Sequence, residues 1–163
     1  MAAEHSYQIT LQNNKTEKEA IAYLLNENPS FIEPDKDGRK AILTKLGLDF
    51  KFLRAFDLIQ VKGHINTKDT FILKDNDEVT LIEIKSTKKK LKNNPYGFFF
   101  GATENEFSIA EQLGNNYKFC FTCLHPETKS YALLSTEELD KIIKNKRIQF
   151  QINIQTNSDD NKI

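Results

Sequence analysis

The run "EVTLIEIKS" (residues 78–86) constrains this chain more than any other segment. Leucine and isoleucine crowd it, so it reads as a strand, and as a dry one. It nevertheless carries Glu83 and Lys85, residue types almost never fully buried unless paired. In a strand, residues i and i+2 share a face. Glu83 and Lys85 therefore project together, while Ile82 and Ile84 enter an apolar layer on the other side. Either an ion pair decorates a half-exposed strand, or the two charges belong to a site.

The flanking sequence supplies helices to cover such a sheet. "TEKEAIAYLLNEN" sets Thr16 and Glu19 at capping-box spacing and runs apolar through Ile21, Leu24 and Leu25. "TENEFSIAEQLG" repeats the device with Thr103 and Glu106 and stops at Gly114. "STEELDKIIKNK" repeats it with Ser135 and Glu138, and a weaker helical pattern spans 37–47. Strands are expected at 56–63, 69–75, 78–86, 117–124, 129–134 and 147–155. In the last, Ile148, Phe150, Ile152 and Ile154 alternate with Gln149, Gln151, Asn153 and Gln155, the pattern of a half-exposed edge strand. Helix, three strands, helix, strand in that order implies an α/β fold, a mixed sheet with helices on its faces.

A chain of 163 residues suits one domain, expected over 1–155, with the polar stretch 156–163 as a disordered tail. Lysine plus arginine equals aspartate plus glutamate, so no overall basic field announces a nucleic-acid partner, although a local patch can hold phosphate on a neutral protein. No apolar run has the length of a membrane span and no signal-peptide core opens the chain, so a cytoplasmic protein without a membrane partner is expected. Cys120 and Cys123 stand three apart in "YKFCFTCL" and would point to opposite faces of a strand, which suits buried thiols better than zinc or a redox pair. His5, His64 and His125 show no metal-ligand spacing.

Glu83 and Lys85 together with one more acid would form a carboxylate pocket holding one ammonium, an arrangement suited to phosphodiester hydrolysis. Mg²⁺ takes oxygen ligands, commonly one or two carboxylates plus phosphate and water, and Mn²⁺ accepts the same donors. The lysine would orient or deprotonate the attacking water, or neutralise developing charge. Two residues compete as the further acid. Asp69 falls beside Glu83 if "DNDE" (75–78) turns a hairpin centred near Asn76. Asp57 is an acid between Phe56 and Leu58 with the weaker structural excuse, though a simple meander would start it at the far end of the sheet.

An aspartate among strand residues followed by E-x-K in a later strand resembles the PD-(D/E)XK nuclease superfamily. "LIEIKSTKK" followed by "GFFFGATENEF" is similar to small bacterial restriction-endonuclease-like proteins. The resemblance covers about Thr16 to Leu124 and implies a restriction-endonuclease-like fold with an αβββαβ core. It further implies a Mg²⁺- or Mn²⁺-dependent endodeoxyribonuclease, of restriction rather than repair type, working on DNA as a homodimer. Glu83 with Asp57 or Asp69 would hold the metal and Lys85 would act on the water. The proline of the family motif is missing before either aspartate. Lys88, Lys89, Lys90 and Lys92 follow the motif, where a nucleic-acid backbone would pass. The resemblance also allows Glu19 of the first helix as an extra metal ligand, although its capping-box role with Thr16 already explains it. "NNPYGFFFG" reads as aromatic packing more than a base-stacking platform. The competing reading is a non-catalytic nucleic-acid-binding or interaction module on the same fold.

Overall fold

A computed structural model describes residues 2–64 and 73–157, with side chains from residue 15 onward. The architecture is mixed α/β. A five-stranded sheet has the order β1 (Phe31–Ile32), β2 (Leu58–Val61), β3 (Val79–Thr87), β4 (Tyr117–Cys123) and β5 (Ser130–Leu134). Every pairing is antiparallel except β3 with β4, which run parallel. That parallel step needs a crossover, and α3 (Glu104–Leu113) lies within it.

Two apolar layers sandwich the sheet. On one side α1 (Ala2–Glu27) lays Ala20 and Leu24 over Phe31, Leu58, Ile82, Ile84 and Cys120. On the other, α2 (Lys36–Lys45), α3 and α4 (Thr136–Asp140) bring Ile42, Leu43, Ile109, Ala110 and Leu139 against Leu81, Tyr117, Phe119 and Phe121. β3 lies at the centre with neighbours on both edges, which is why its sequence is apolar on both faces. Among the described residues, no helix is long and apolar enough to cross a membrane.

Local signals set several boundaries as expected. Thr103 with Glu106, and Ser135 with Glu138, form complete capping boxes. Gly114 ends α3 at φ 56°, a backbone conformation that glycine adopts without steric cost. The strands expected at 78–86, 117–124 and 129–134 form within a residue of those bounds.

Other expectations are corrected. α1 runs through Thr16, so Thr16 and Glu19 lie inside a helix instead of capping it. The last helix stops at Asp140, and Ile142 and Ile143 pack on the core from the turn beyond. The strand expected at 69–75 falls largely outside the described residues; its end, 73–75, is not strand. The three strands between α1 and α3 are therefore β1, β2 and β3, with β1 only two residues long and α2 interposed. No strand forms at 147–155: the segment is unpaired, and its four large apolar side chains are 79–91% exposed. The pattern was right for a strand, but a strand needs an edge to pair with. Of the tail at 156–163, only residues 156 and 157 are described; both are exposed and without secondary structure.

Candidate active site

Glu83 and Lys85 share a face of β3, as the strand period requires, while Ile82 and Ile84 lie in the layer beneath α1. Glu83 is 9% exposed. The Lys85 ammonium lies 3.3 Å from Glu83 Oε1 and also donates to Glu106 Oε1 of α3. These charges are not a solvated surface pair, because the side chains of Lys85, Glu83 and Glu106 are only 12%, 12% and 5% exposed.

Asp57 comes to the same place. It immediately precedes β2, and β2 pairs with β3 at Leu58–Ile82. The Asp57 backbone N–H donates to the Ile82 carbonyl (2.8 Å), and its Oδ2 accepts from the Ile84 N–H (2.8 Å). These two bonds bracket Glu83. The Asp57 carboxylate thus takes a β3 donor that a longer β2 would have paired through its backbone, and it lies along the sheet edge beside Glu83. The turn ahead of it is fixed twice. Arg39 of α2 donates to the Leu53 and Phe56 carbonyls and lies over the Phe56 ring, and the buried Tyr117 hydroxyl donates to the Ala55 carbonyl.

The expectation that a hairpin at 75–78 sets residue 69 opposite Glu83 falls on residues outside those described. The edges of β3 at Glu83 are taken by β2 with Asp57 on one side and by Phe119 of β4 on the other. Asp69 itself lies outside the described residues.

Two acids join the cluster that the sequence reading either missed or explained otherwise. Glu17 of α1 brings its carboxyl up to that of Asp57; burial and the charge of Asp57 push it above the ordinary carboxylate range. Helical spacing offers the signal: Glu17 stands three and seven residues before the buried Ala20 and Leu24, on the edge of the face that covers the sheet. Glu19, the acid considered instead, points elsewhere and pairs at 3.5 Å with Lys88. The sequence allows Glu106 either as an extra ligand or as a helix-start acid. It does cap α3, with Oε2 accepting from the Thr103 N–H (2.7 Å), but its other oxygen holds Lys85.

The electrostatics are lopsided. Burial, then the charges of Asp57 and Glu106, push Glu83 up to about 10 despite Lys85 beside it. Burial also raises Asp57, against the Ile84 N–H and Arg39. For Glu106 burial acts upward, but the hydrogen bonds from Lys85 and Thr103 outweigh it and hold the carboxyl low. The Lys85 charge is thus committed to Glu106, and Glu83 retains a proton at neutral pH. Glu83 Oε2 is buried and accepts no hydrogen bond, and the protonated Glu83 carboxyl bonds to that of Asp57.

Among the described residues, no group of three or more His, Cys, Asp or Glu is arranged to hold a metal ion on its own. The pair Asp57 and Glu83 still fits a hard dication by donor chemistry: two adjacent carboxyls leave the remaining positions to phosphate and water. Neither cysteine takes part. Cys120 and Cys123 are free and fully buried on β4, and burial pushes Cys120 up to about 12.

Beyond β3, Lys88, Lys89, Lys90 and Lys92 are exposed around the buried Leu91, which pins their loop. Lys88 and Lys90 pair with Glu19 and Glu127. Phe98 and Phe100 stack edge-on against Phe121, as expected for packing, while Phe99 is 96% exposed. A cavity of about 390 Å³ lined by Ser30, Gln60, Lys62, Glu78 and Thr80 lies at the opposite end of the β2–β3 pair and shares no residue with the acidic cluster. No protein-family model, no curated protein and no solved structure matches this chain.

Proposed function

We propose that this protein is a metal-dependent endonuclease that hydrolyses DNA phosphodiester bonds, built on a restriction-endonuclease-like variant of the α/β fold. The observation that carries the reading is Glu83, a buried acid standing between the Asp57 carboxyl and the Lys85 ammonium. A structural ion pair accounts for one oxygen of Glu83 and does not account for a second carboxyl, Asp57, brought against it. Element order supports the fold: α1, three strands, α3, and then β4 laid parallel to the strand that carries E-x-K.

Asp57 and Glu83 would hold Mg²⁺ or Mn²⁺, with Glu17 close enough to Asp57 to join through water. Bound there, the dication would polarise the phosphoryl oxygen and lower the pKa of coordinated water. Lys85 orients the attacking water and offsets charge on the phosphoryl group. Glu106 positions Lys85, and Arg39 fixes the turn that aims Asp57. Lys88, Lys89, Lys90 and Lys92 leave the same end of β3 and would meet the phosphate backbone. A two-fold dimer would bring one small site to each strand, the arrangement of a restriction enzyme acting in the cytoplasm.

Incubation of the protein with plasmid DNA, methylated and unmethylated, tests this. Cleavage is expected with Mg²⁺ or Mn²⁺ and not in chelator, and Asp57→Asn is expected to lose both cleavage and calorimetric metal binding while remaining folded. Full activity in chelator sinks the metal role. No cleavage of DNA by the wild-type protein, with RNA cut under the same conditions, moves the substrate class. Binding without cleavage of either leaves a nucleic-acid-binding module.

A further inference from the structure

Residues 147–155 form the most exposed apolar stretch of the described chain. Ile148, Phe150, Ile152 and Ile154 are 84%, 80%, 79% and 91% exposed, on a backbone that pairs with nothing in the sheet. A run this regular, left in water, marks an interaction surface more readily than an accident of composition. Its root is firmly held: Ile142 and Ile143 pack on the core, and the Lys146 ammonium lies 4.6 Å from the ring centroid of Phe107 on α3. The arm therefore leaves the domain from a defined place, beside the helix that carries Glu106.

The sequence of the arm identifies its occupant. From 148 to 157 it carries no charge, so it offers nothing to a charged partner and nothing that repels its own copy. The pattern also reads alike in both directions about Gln151. Apolar residues stand one and three positions to either side, and polar residues two and four positions to either side. Antiparallel pairing about that centre sets Phe150 opposite Ile152 and Ile148 opposite Ile154, all on one face, with Gln149 opposite Asn153 on the other. The ends choose the direction. Lys144, Lys146 and Arg147 precede the uncharged run and Asp159 and Asp160 follow it in the sequence. Antiparallel pairing sets the basic end of one copy toward the acidic end of the other, whereas parallel pairing sets like charge on like.

We propose that residues 147–155 of two copies pair as an antiparallel ribbon centred on Gln151, so that the partner of this surface is a second copy of the chain. The pairing is isologous, each arm making the same contacts as its mate, which closes the assembly at a dimer. The inference does not depend on the nuclease reading.

Sedimentation equilibrium of the full-length protein tests it. The wild type is expected to sediment at twice the chain mass. The double variant Phe150→Asp, Ile152→Asp is expected to sediment as a monomer with the same thermal unfolding midpoint, since both side chains lie outside the core. A second measurement fixes the register. In the ribbon, residue 151 faces itself at a Cα separation of roughly 4.5–5.5 Å, within reach of a disulfide. Gln151→Cys should therefore oxidise to a covalent dimer, while Gln155→Cys, which faces Arg147, should not. Cys120 and Cys123 are fully buried and give no competing cross-link. A monomeric wild type overturns the proposal, as does a dimer that survives the double substitution. Equal cross-linking of the two cysteine variants also overturns it and directs attention to the free edge of β5 as the docking strand.

Discussion

β3 and the arm at 147–155 have the same length and opposite fates. The arm carries the cleaner strand pattern, strict alternation with no charge after Arg147, and yet pairs with nothing in its own sheet. β3 breaks the pattern with Glu83 and Lys85 and lies at the centre of the sheet, bonded on both edges. Alternation describes what a segment can present; it does not supply the neighbour. β3 has α1 beneath it, α3 above it, and β2 and β4 beside it. Those neighbours make the two residues tolerable when buried: Glu106 pairs with the Lys85 charge, while burial and the charges of Asp57 and Glu106 keep Glu83 neutral. A buried charge without such partners is strongly unfavourable.

The contrast breaks first at Lys85. Lys85→Ala is expected to lower DNA cleavage roughly 10²–10⁴-fold, the range for a positioned group acting on a transferring proton, with DNA affinity in the presence of metal retained. Glu106→Gln is the sharper companion. Glutamine keeps the oxygen that accepts the Thr103 N–H, so the cap on α3 survives, but it no longer holds the ammonium by charge. A smaller loss, about tenfold and confined to kcat with KM unchanged, is expected. Equal losses in binding and turnover for Lys85→Ala would make it a phosphate contact instead.

A second comparison sets the same substitution in the two segments. Ile82 is fully buried under α1, and Ile82→Ala should cost about 2–5 kcal/mol of stability through lost contacts and a cavity. Ile152→Ala in the arm should change the stability of the domain by less than about 0.5 kcal/mol. Denaturant titration of both variants at a concentration that keeps the wild-type assembly state constant reads the difference directly. Similar losses at the two sites would mean that the arm packs on its own domain.

A further effect is electrostatic and depends on pH. An unfolded glutamate titrates near 4.3, whereas Glu83 in the fold is pushed up to about 10. Between those values the native state holds a proton that the unfolded chain has released. Its contribution is therefore complete below the lower value and is lost as pH rises, by at most about 1.4 kcal/mol per pH unit. Glu83→Gln stays neutral in both states, so in chelator it should be more stable than the wild type at pH 8 and should lack that slope. Added Mg²⁺ should stabilise the wild type increasingly with pH and leave Glu83→Gln unmoved. Parallel pH profiles for the two proteins, with and without Mg²⁺, would remove Glu83 from the proposed metal pair.

Short-range chemistry was legible from the residues themselves. The capping boxes at Thr103 and Ser135, the stop at Gly114, the strands at 78–86 and 117–124, and the shared face of Glu83 and Lys85 all follow from hydrogen bonds or periodicities that span a few residues. Those interactions are encoded where they are made. The companions of Glu83 were a different matter. Asp57 is 26 positions away and Glu106 is 23, and whether Asp57 lies beside the strand turns on which segment occupies its edge. Only the folded sheet decides that, by giving one edge of β3 to β2 and the other to β4. The same reason explains Glu17 and Glu19: both are helical acids two residues apart, and α1's orientation over the sheet turns one toward Asp57 and the other toward Lys88. It explains the arm as well. A strand pattern is a local property, but pairing is a contact between distant segments, and among the described residues no segment places its edge against residues 147–155.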